Sequence, residues 1–327
     1  MNKITKQDLV KKIKELQSFG EVARHFGVDR KIIYKKRKEY NIFELVCGEQ
    51  FQLTYEQVDS INEAAPKDMQ IISSLDDIKK EVNHFIISDM QISQGVDLKH
   101  LTAIAKEVID RKPDVLIFLG DFWDMKSLYN ITKDQFDGKK YKSDVRVGIE
   151  AMRILMELII AEEKKTGWKL RKVFCLGNHE HRINKIANSY KALNGLVSID
   201  DLELSQFNFE VVEFLKPIII DDIAYCHYFT NGLMNTPIQS TRLLVQRKLM
   251  NCVMGHKQAF SIHREVKASG EPVYAIFAGS SYLHDEEYLT EQGNHYSRQV
   301  WALNNVGEKT FEPEILFLNR LMKKWGC

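Results

Sequence analysis

Short apolar runs alternate with helical patterns over most of the chain after Val82. Eight stretches are of the apolar type found in buried strands: "HFIISD", "DVLIFLGD", "RKVFCLGN", "IIIDDIAYCH", "NCVMGH", "VYAIFAGSS", "RQVWALNNV" and "EILFLNR". Helical stretches at residues 98–112 and 145–165 separate the first three runs. The order strand, helix, strand, helix, strand, followed mostly by strands, predicts an α/β sandwich rather than a closed barrel.

The first 44 residues have a different pattern, that of three short helices. Val22, Ala23 and Phe26 form one apolar helical face. Gly27 suits the end of that helix because glycine adopts positive φ at little cost, and Asp29 is a candidate N-cap for the next helix. A small residue, a glycine turn and a basic second helix resemble the helix-turn-helix of DNA-binding proteins.

The charge distribution favours the same interpretation of this end of the chain. Residues 1–44 carry twelve Lys and Arg against six Asp and Glu, which leaves −5 for the rest of a chain whose net charge is +1. Six basic side chains of the second helix are predicted to bind nucleic acid: Arg30, Lys31, Lys35, Lys36, Arg37 and Lys38. A small helical cap with a solvated basic face is the alternative, and binding to RNA or to protein stays open.

Changes in composition predict the domain organisation. We expect a helix-turn-helix domain at residues 1–44, a polar linker or arm at 45–80, and an α/β domain at 81–327. No run approaches the roughly 18 apolar residues of a membrane span, and the N-terminus lacks the apolar centre of a signal peptide. We therefore expect no membrane partner and a cytoplasmic location. Five scattered cysteines without C-x-x-C pairs argue against a disulfide framework or a zinc ribbon.

Polar side chains follow the ends of five predicted strands. In chain order they are Asp89 with Gln91, Asp121 with Asp124, Asn178 with His179, His227, and His256 with Gln258. Ligands bind at the carboxyl edge of open α/β sheets, so these side chains are expected to converge there. Carboxylates, imidazoles and an amide oxygen suit divalent ions of intermediate hardness such as Mn, Fe, Zn or Co. The pattern predicts a metal centre at this edge.

These motifs, in this order, resemble the calcineurin-like metallophosphoesterases. The family signature is D-x-H, G-D-x-x-D, G-N-H-[ED], a lone His and G-H-x-H. The matching stretches here are Asp89-x-Gln91, Gly120-Asp121-x-x-Asp124, Gly177-Asn178-His179-Glu180, His227 and Gly255-His256-x-Gln258. Residues 278–306 also look like the tail of phage-encoded members, which would place the protein in a host cytoplasm. The resemblance implies a four-layer α/β/β/α sandwich, here with a small all-α domain at the N-terminus.

The resemblance further implies a centre of two divalent ions with Asp121 ligating both. One position, which we call the histidine position, would be held by Asp121, Asn178, His227 and His256. This set has every ligand that the family pattern requires.

The other position, which we call the glutamine position, would be held by Asp89, Asp121, Gln91 and Gln258. The family has histidine where this chain has the two glutamines, so both departures fall on the same ion. An amide oxygen is a harder and weaker donor than an imidazole nitrogen. We therefore expect Mn²⁺ as the preferred ion, with Mg²⁺, Fe or Zn²⁺ as alternatives, and one position that is weak or empty.

Three interpretations of the glutamine position stay open. The centre is a weakened but catalytic two-metal site, a one-metal site, or a degenerate site that only binds. His181 and His263 lie near the two altered motifs in sequence and are candidate replacement ligands.

The mechanism that the resemblance implies uses metal-activated water against phosphorus. His179 would protonate the leaving oxygen or stabilise charge on the phosphoryl group. Asp124 would orient that imidazole. Arg182 is a candidate contact for a phosphate oxygen, and a solvated helix arginine is the alternative.

The fold does not select the phosphoester. The basic N-terminal unit favours a DNA phosphodiesterase or nuclease, because it would raise the local concentration of a polymeric substrate. Two alternatives stay open: a nucleotide or protein phosphatase with an N-terminal docking module, and a DNA-binding protein with a non-catalytic metal domain. Cleavage polarity and oligomeric state do not follow from the sequence.

Overall fold

The structure is a computed structural model in which two compact units, residues 1–78 and 79–327, are distinguished. It describes residues 4–16, 19–39, 82–129, 135–193, 195–232, 235–285, 297–307 and 310–327. The predicted linker at 45–80 lies outside the described residues, so its boundaries stay a prediction.

The described part of the first unit consists of three helices: α1 Lys6–Leu16, α2 Phe19–Phe26 and α3 Arg30–Glu39. Leu9, Val22 and Ile33, one from each helix, belong to one apolar core. Gly27 has φ +61 after α2. Asp29 Oδ1 accepts a hydrogen bond of 2.8 Å from the Lys31 amide at the start of α3. The turn therefore uses a glycine end and an aspartate cap, as the sequence predicts.

The second unit contains a six-stranded sheet in the order β11-β10-β1-β2-β3-β4. Its strands are β1 Val82–Ile87, β2 Val115–Phe118, β3 Arg171–Cys175, β4 Glu210–Val212, β10 Gln299–Gly307 and β11 Thr310–Phe317. Strands β1 to β4 are parallel, whereas β10 and β11 are antiparallel to their neighbours. The carboxyl ends of β1, β2 and β3 consequently lie at one edge.

A five-stranded sheet follows the order β5-β6-β7-β9-β8. Its strands are β5 Ile218–Ile220, β6 Ile223–Cys226, β7 Asn251–Met254, β8 Phe260–Val266 and β9 Pro272–Ala278. Strands β6, β7 and β9 are parallel, and β5 and β8 are antiparallel at the two borders.

Alternating side chains of the strands build three apolar layers. Ile86 of β1 and Ile117 of β2 pack between the two sheets with Val253 of β7. The neighbouring residues Phe85 and Ile87 point the other way, into the core beneath the helices. Because the central strands β2, β6 and β7 are buried on both faces, their sequences are continuous apolar runs rather than alternating ones.

Helices cover the outer faces of both sheets. Those of the second unit are α4 Lys99–Arg111, α5 Gly138–Thr166, α6 His181–Ser189, α7 Thr241–Lys248 and α8 Leu318–Trp325. Residues of α4, α5, α6 and α8 share a core with the six-stranded sheet, and residues of α7 share one with the five-stranded sheet. The four-layer α/β/β/α prediction is confirmed. None of the helices in the described ranges is long and apolar enough to cross a membrane.

Helix α5 also supports the loop that follows β2. The indole nitrogen of Trp123 donates to the Val145 carbonyl at 3.2 Å, and the Ser127 amide donates to Asp144 Oδ2 at 2.8 Å. A Cβ on Gly148 would lie 1.7 Å from the Trp123 ring nitrogen. The glycine therefore lets this long helix approach the loop that carries Asp121.

Candidate metal centre

Backbone hydrogen bonds join the loops after β1 and β2 and, in the other sheet, the loops after β6 and β7. The Asp89 amide after β1 donates to the Gly120 carbonyl after β2 at 3.1 Å, and the Gln91 amide donates to the Asp121 carbonyl at 2.9 Å. In the other sheet the Gly255 amide donates to the His227 carbonyl at 3.0 Å. Side chains that are far apart in sequence are thereby brought to one edge of the sandwich.

The backbone at this edge is strained at five residues that carry polar side chains. The φ angles are positive at Asp89 (46), Gln91 (45), Asp121 (51), His256 (64) and Gln258 (53). A non-glycine residue in the left-handed region costs roughly 1–3 kcal/mol and persists where the surroundings enforce it, commonly at functional sites. The clustering at these five positions marks a built site.

Two glycines permit the close approach of these loops. A Cβ on Gly177 would lie 2.1 Å from Asp121 Oδ1, and one on Gly255 would lie 2.5 Å from Asp89 Oδ2. Side chains at these positions would occupy the space of the carboxylates, which explains why glycine precedes Asn178 and His256.

At the histidine position, acceptor atoms converge. Ligand atoms of Asp121, His227 and His256 all lie within 4.8 Å of one another. His227 Nδ1 lies 2.6 Å from the Leu119 carbonyl and must donate to it, which leaves Nε2 of the neutral ring as an acceptor. That Nε2 atom lies 2.8 Å from Asn178 Oδ1 and 3.3 Å from Asp121 Oδ2. Three converging acceptors need a proton or a cation among them, so these residues fit a divalent ion.

The pKa values at this position reflect the same crowding. Burial alone would lower the pKa of His227, but the adjacent Asp121 carboxylate outweighs burial and raises the pKa to about 9. Burial and the neighbouring His227 lower the pKa of His256 to about 4. Burial opposes ionisation of Asp121, yet His179 and His227 hold its pKa below the ordinary value. The candidate ligand Asp121 is thus anionic at neutral pH.

At the glutamine position, most oxygen atoms already have donors. Both Asp89 oxygens accept from the His256 amide, at 3.1 and 2.9 Å, and Ser88 Oγ donates to Asp89 Oδ2. Burial, with the Asp121 charge, raises the pKa of Asp89 to about 7. Gln258 Oε1 accepts from the Tyr282 hydroxyl at 2.9 Å.

Gln91 is the exception at the glutamine position. Its side chain is buried, and its Oε1 atom has no hydrogen-bond partner in the described part of the chain. A buried carbonyl oxygen without a donor fits a cation. The oxygen donors assigned to this position are of the type that suits a hard divalent ion, and fewer of them are uncommitted than at the histidine position.

Neither of the two candidate replacement histidines belongs to the cluster of ligand atoms. His263 lies on β8, where Nε2 is 2.9 Å from Glu265 Oε1. His181 stacks on Phe214 with 4.6 Å between ring centroids. This arrangement does not favour either histidine as a substitute metal ligand at the glutamine position.

His179 lies beside Asp121 and is oriented from the loop after β2. Its Nε2 atom is 3.6 Å from Asp121 Oδ2, and its Nδ1 atom is 3.3 Å from Asp124 Oδ1. The nearer acceptor for Nδ1 is the backbone carbonyl of Asp124, at 2.7 Å. Burial lowers the pKa of His179, but Asp121 and Asp124 together raise it above the ordinary value. An imidazole with a raised pKa next to the candidate metal ligands suits general-acid chemistry or stabilisation of negative charge.

Glu180 is a site residue that we did not predict from the sequence. It is fully buried, and its carboxylate accepts from the amides of Gly177, Asp121 and Trp123 at 2.8, 3.0 and 3.0 Å. It thereby joins the loops after β2 and β3. The acidic residue at the end of G-N-H-[ED] was the signal that could have identified this role.

Arg182 lies in the first turn of α6 and contacts the loop after β2. Its Nη1 atom donates to the backbone carbonyls of Asp124 at 2.7 Å and Met125 at 3.3 Å. The guanidinium carbon lies 5.1 Å from the centroid of the Tyr129 ring. One nitrogen of this side chain therefore positions the loop, and a phosphate contact through the others stays a prediction.

The predicted nucleic-acid-binding residues all belong to α3. The side chains of Lys31 and Lys35 are exposed, and Lys36 is partly exposed. The side chains of Arg30, Arg37 and Lys38 lie outside the described part of the structure, so their contribution stays a prediction.

A family model described as calcineurin-like phosphoesterase matches residues 85–249, half of the chain. No significant match was found among curated proteins.

Three of the solved structures that resemble this chain each have low sequence identity to it. Yfce, a phosphoesterase from E. coli, is 13% identical over 72% of this chain and 99% of that chain, with a TM-score of 0.35. A dimetal phosphatase from Danio rerio is 11% identical over 73% and 96%, with a TM-score of 0.35. Vps29 from Chaetomium thermophilum is 9% identical over 72% and 95%, with a TM-score of 0.32. All three scores are low, so the assignment depends on the family model.

Proposed function

The chain belongs to the calcineurin-like phosphoesterase family of metal-dependent phosphoester hydrolases, and from this premise we propose that it is a phosphodiesterase acting on DNA. The observation that carries the choice of DNA is the α2–turn–α3 unit, in which Lys31 and Lys35 are exposed on a helix whose Ile33 is buried. Exposed lysines on the second helix after a glycine turn suit contact with a phosphate backbone.

The N-terminal unit supports this proposal through local concentration. A module that binds the polymer keeps phosphodiester bonds near the metal centre without new contacts inside it. The substrate would be DNA in the cytoplasm, or in the host cytoplasm if the protein is phage-encoded. We propose Mn²⁺ as the preferred ion, because an intermediate ion suits both the nitrogen-rich and the oxygen-rich positions.

Divalent ions at the two positions would supply positive charge to the phosphoryl oxygens and an activated water. Asp121, Asn178, His227 and His256 would hold the ion at the histidine position. His179 would hold a proton at Nε2 and deliver it to the leaving oxygen, while Nδ1 stays fixed on the Asp124 carbonyl. The Glu180 hydrogen bonds to three backbone amides would keep the loops in register during turnover.

The test is hydrolysis of single-stranded DNA, double-stranded DNA and bis-p-nitrophenyl phosphate with Mn²⁺, Mg²⁺, Zn²⁺ or a chelator. The variant Lys31→Glu/Lys35→Glu in the full chain is expected to lose about tenfold or more in DNA cleavage, because each lost phosphate contact weakens binding. Its activity on the small ester should not change.

A charge-matched control is available in the second unit. Lys164 and Lys169 are exposed and lie at the end of α5 and just before β3, at the edge opposite to the metal centre. Lys164→Glu/Lys169→Glu should leave DNA cleavage unchanged. Hydrolysis of the small ester without cleavage of any DNA would reject the nuclease in favour of a phosphatase. A complete lack of turnover with every metal would leave a DNA-binding protein with a non-catalytic metal domain.

A further inference from the structure

A cavity of about 360 Å³ opens beside the histidine position, between the short helical turn Lys126–Leu128 and α6. Its walls include Leu128, Tyr129, Asn178, Arg182, Lys185 and Tyr190. Asn178 belongs both to this cavity and to the predicted ligands of the histidine position. A molecule in the cavity would therefore lie directly next to the metal centre.

The walls of the cavity carry positive charge. Arg182 and Lys185 are three positions apart on α6 and consequently project from the same helical face. No Asp or Glu is present among the described residues that line the cavity. Such a wall favours an anionic ligand.

The walls also offer aromatic surface. Tyr129 is 63% exposed, a large exposed fraction for an aromatic side chain, and the Arg182 guanidinium lies over its ring. Tyr190 follows the last residue of α6, and its amide donates to the Ile186 carbonyl at 3.0 Å. Aromatic rings beside basic groups are the surfaces on which unpaired nucleobases stack.

The cavity shares its support with the predicted catalytic histidine. The Asp124 carbonyl is 2.7 Å from Arg182 Nη1 and 2.7 Å from His179 Nδ1. The basic wall and the imidazole are thus held by the same backbone atom.

We propose that the cavity binds one nucleotide of the substrate, next to the scissile phosphate. The base would stack on Tyr129 and Tyr190, and the adjoining phosphate would bind Arg182 and Lys185. The volume of about 360 Å³ lies at the lower end of the roughly 300–1,000 Å³ of ligand cavities, which suits one unpaired nucleotide. The substrate would therefore enter as a single strand or as a frayed end. This inference rests on the proposed function, from which it takes the nucleic-acid substrate.

The experiment is calorimetric titration of the full chain with dAMP and, separately, with inorganic phosphate. Both titrations are performed with a chelator, so that phosphate binding to metal does not contribute. We expect dAMP to bind and inorganic phosphate to bind at least about tenfold more weakly, because base stacking would be absent. Tyr129→Ala and Lys185→Ala should each weaken dAMP binding by about five- to tenfold.

Tyr129 and Lys185 are exposed, so truncation of either should leave the fold intact, which circular dichroism would verify. Lys164→Ala is the matched control and should bind dAMP like the wild type. The inference is overturned if the wild type does not bind dAMP, if phosphate binds as tightly as dAMP, or if neither variant changes the affinity. Binding of dAMP without any DNA cleavage would instead reject the DNA proposal and leave a nucleotide pocket. If the protein cleaves DNA but both variants bind dAMP like the wild type, the DNA proposal stands and the nucleotide pocket is rejected.

Discussion

The residues predicted for the histidine and glutamine positions follow strands at one edge of the sandwich, but their polar atoms are satisfied in opposite ways. At the histidine position, His227 Nε2 faces two further acceptors, Asn178 Oδ1 and Asp121 Oδ2, and only a proton or a cation satisfies all three. At the glutamine position, Asp89 and Gln258 already accept hydrogen bonds from the protein. A position whose ligands are satisfied internally gains less from an ion, because its hydrogen bonds compete with coordination.

The difference shows that replacing histidine by glutamine changes more than the donor atom. The amide oxygen of Gln258 has taken a buried tyrosine hydroxyl as a partner, whereas Gln91 Oε1 has none in the described structure. One of the two glutamines thus stays available to a cation, and the other is shared. We expect tight binding at the histidine position and weak binding at the glutamine position.

The largest effect should come from the histidine position itself. His256→Ala should remove the tightly held ion and reduce hydrolysis of bis-p-nitrophenyl phosphate by at least about a hundredfold, since a direct ligand contributes more than the partners around it. Gln91→Ala is the counterpart at the other position and should keep the tight ion. Metal content after dialysis, measured by mass spectrometry, checks both variants. Equal loss of metal in the two variants would contradict the comparison.

Restoring the family ligands should make the two positions alike. The variant Gln91→His/Gln258→His should bind the second ion roughly tenfold more tightly, because two imidazoles replace two neutral amide oxygens. The measured stoichiometry after dialysis against a trace of Zn²⁺ should move from one ion per chain towards two. An unchanged stoichiometry would mean that the internal hydrogen bonds, and not the donor type, set the affinity.

The pH dependence of metal binding should distinguish the two positions, because the ion at the histidine position must displace a proton from His227. The raised pKa, about 9, means that the metal-free protein carries this proton at neutral pH. An ion binds only the deprotonated ring, so apparent affinity should rise by up to about tenfold per pH unit and level off above about pH 9. Calorimetry at pH 8 in buffers of different ionisation enthalpy should detect close to one released proton per ion. Heats that do not depend on the buffer would refute this assignment.

The smallest effect concerns the hydrogen bond between Tyr282 and Gln258. Tyr282→Phe removes the hydroxyl donor and should free Gln258 Oε1, so that affinity for Mn²⁺ at the glutamine position rises a few-fold while folding stability falls by about 1 kcal/mol. Tyr274→Phe is the matched control, because that hydroxyl accepts from Arg264 in a solvent-exposed hydrogen bond. A lower affinity in Tyr282→Phe would show that the hydroxyl orients the oxygen towards the ion instead of competing for it.

Much of the fold was predictable because buried strands leave a continuous apolar run and their ends are marked by glycine and polar residues. Val115–Phe118 and Asn251–Met254 are strands of this kind, and each leads to a side chain of the candidate metal centre. The glycine turn and the aspartate cap before α3 were also predictable, since both depend on neighbours in the chain.

What the sequence by itself determined is the list of candidate ligands, and the family resemblance assigned both glutamines to one predicted position. Only the tertiary structure decided how those ligands are satisfied: Tyr282 lies 24 residues from Gln258, and Glu180 joins amides up to 59 residues away. Arg182 holds the Asp124 carbonyl across 58 residues. Residue type and periodicity predict which side chains are buried and how helices are capped. Hydrogen-bond partners that are distant in sequence depend instead on the order of the strands and the path of the loops between them.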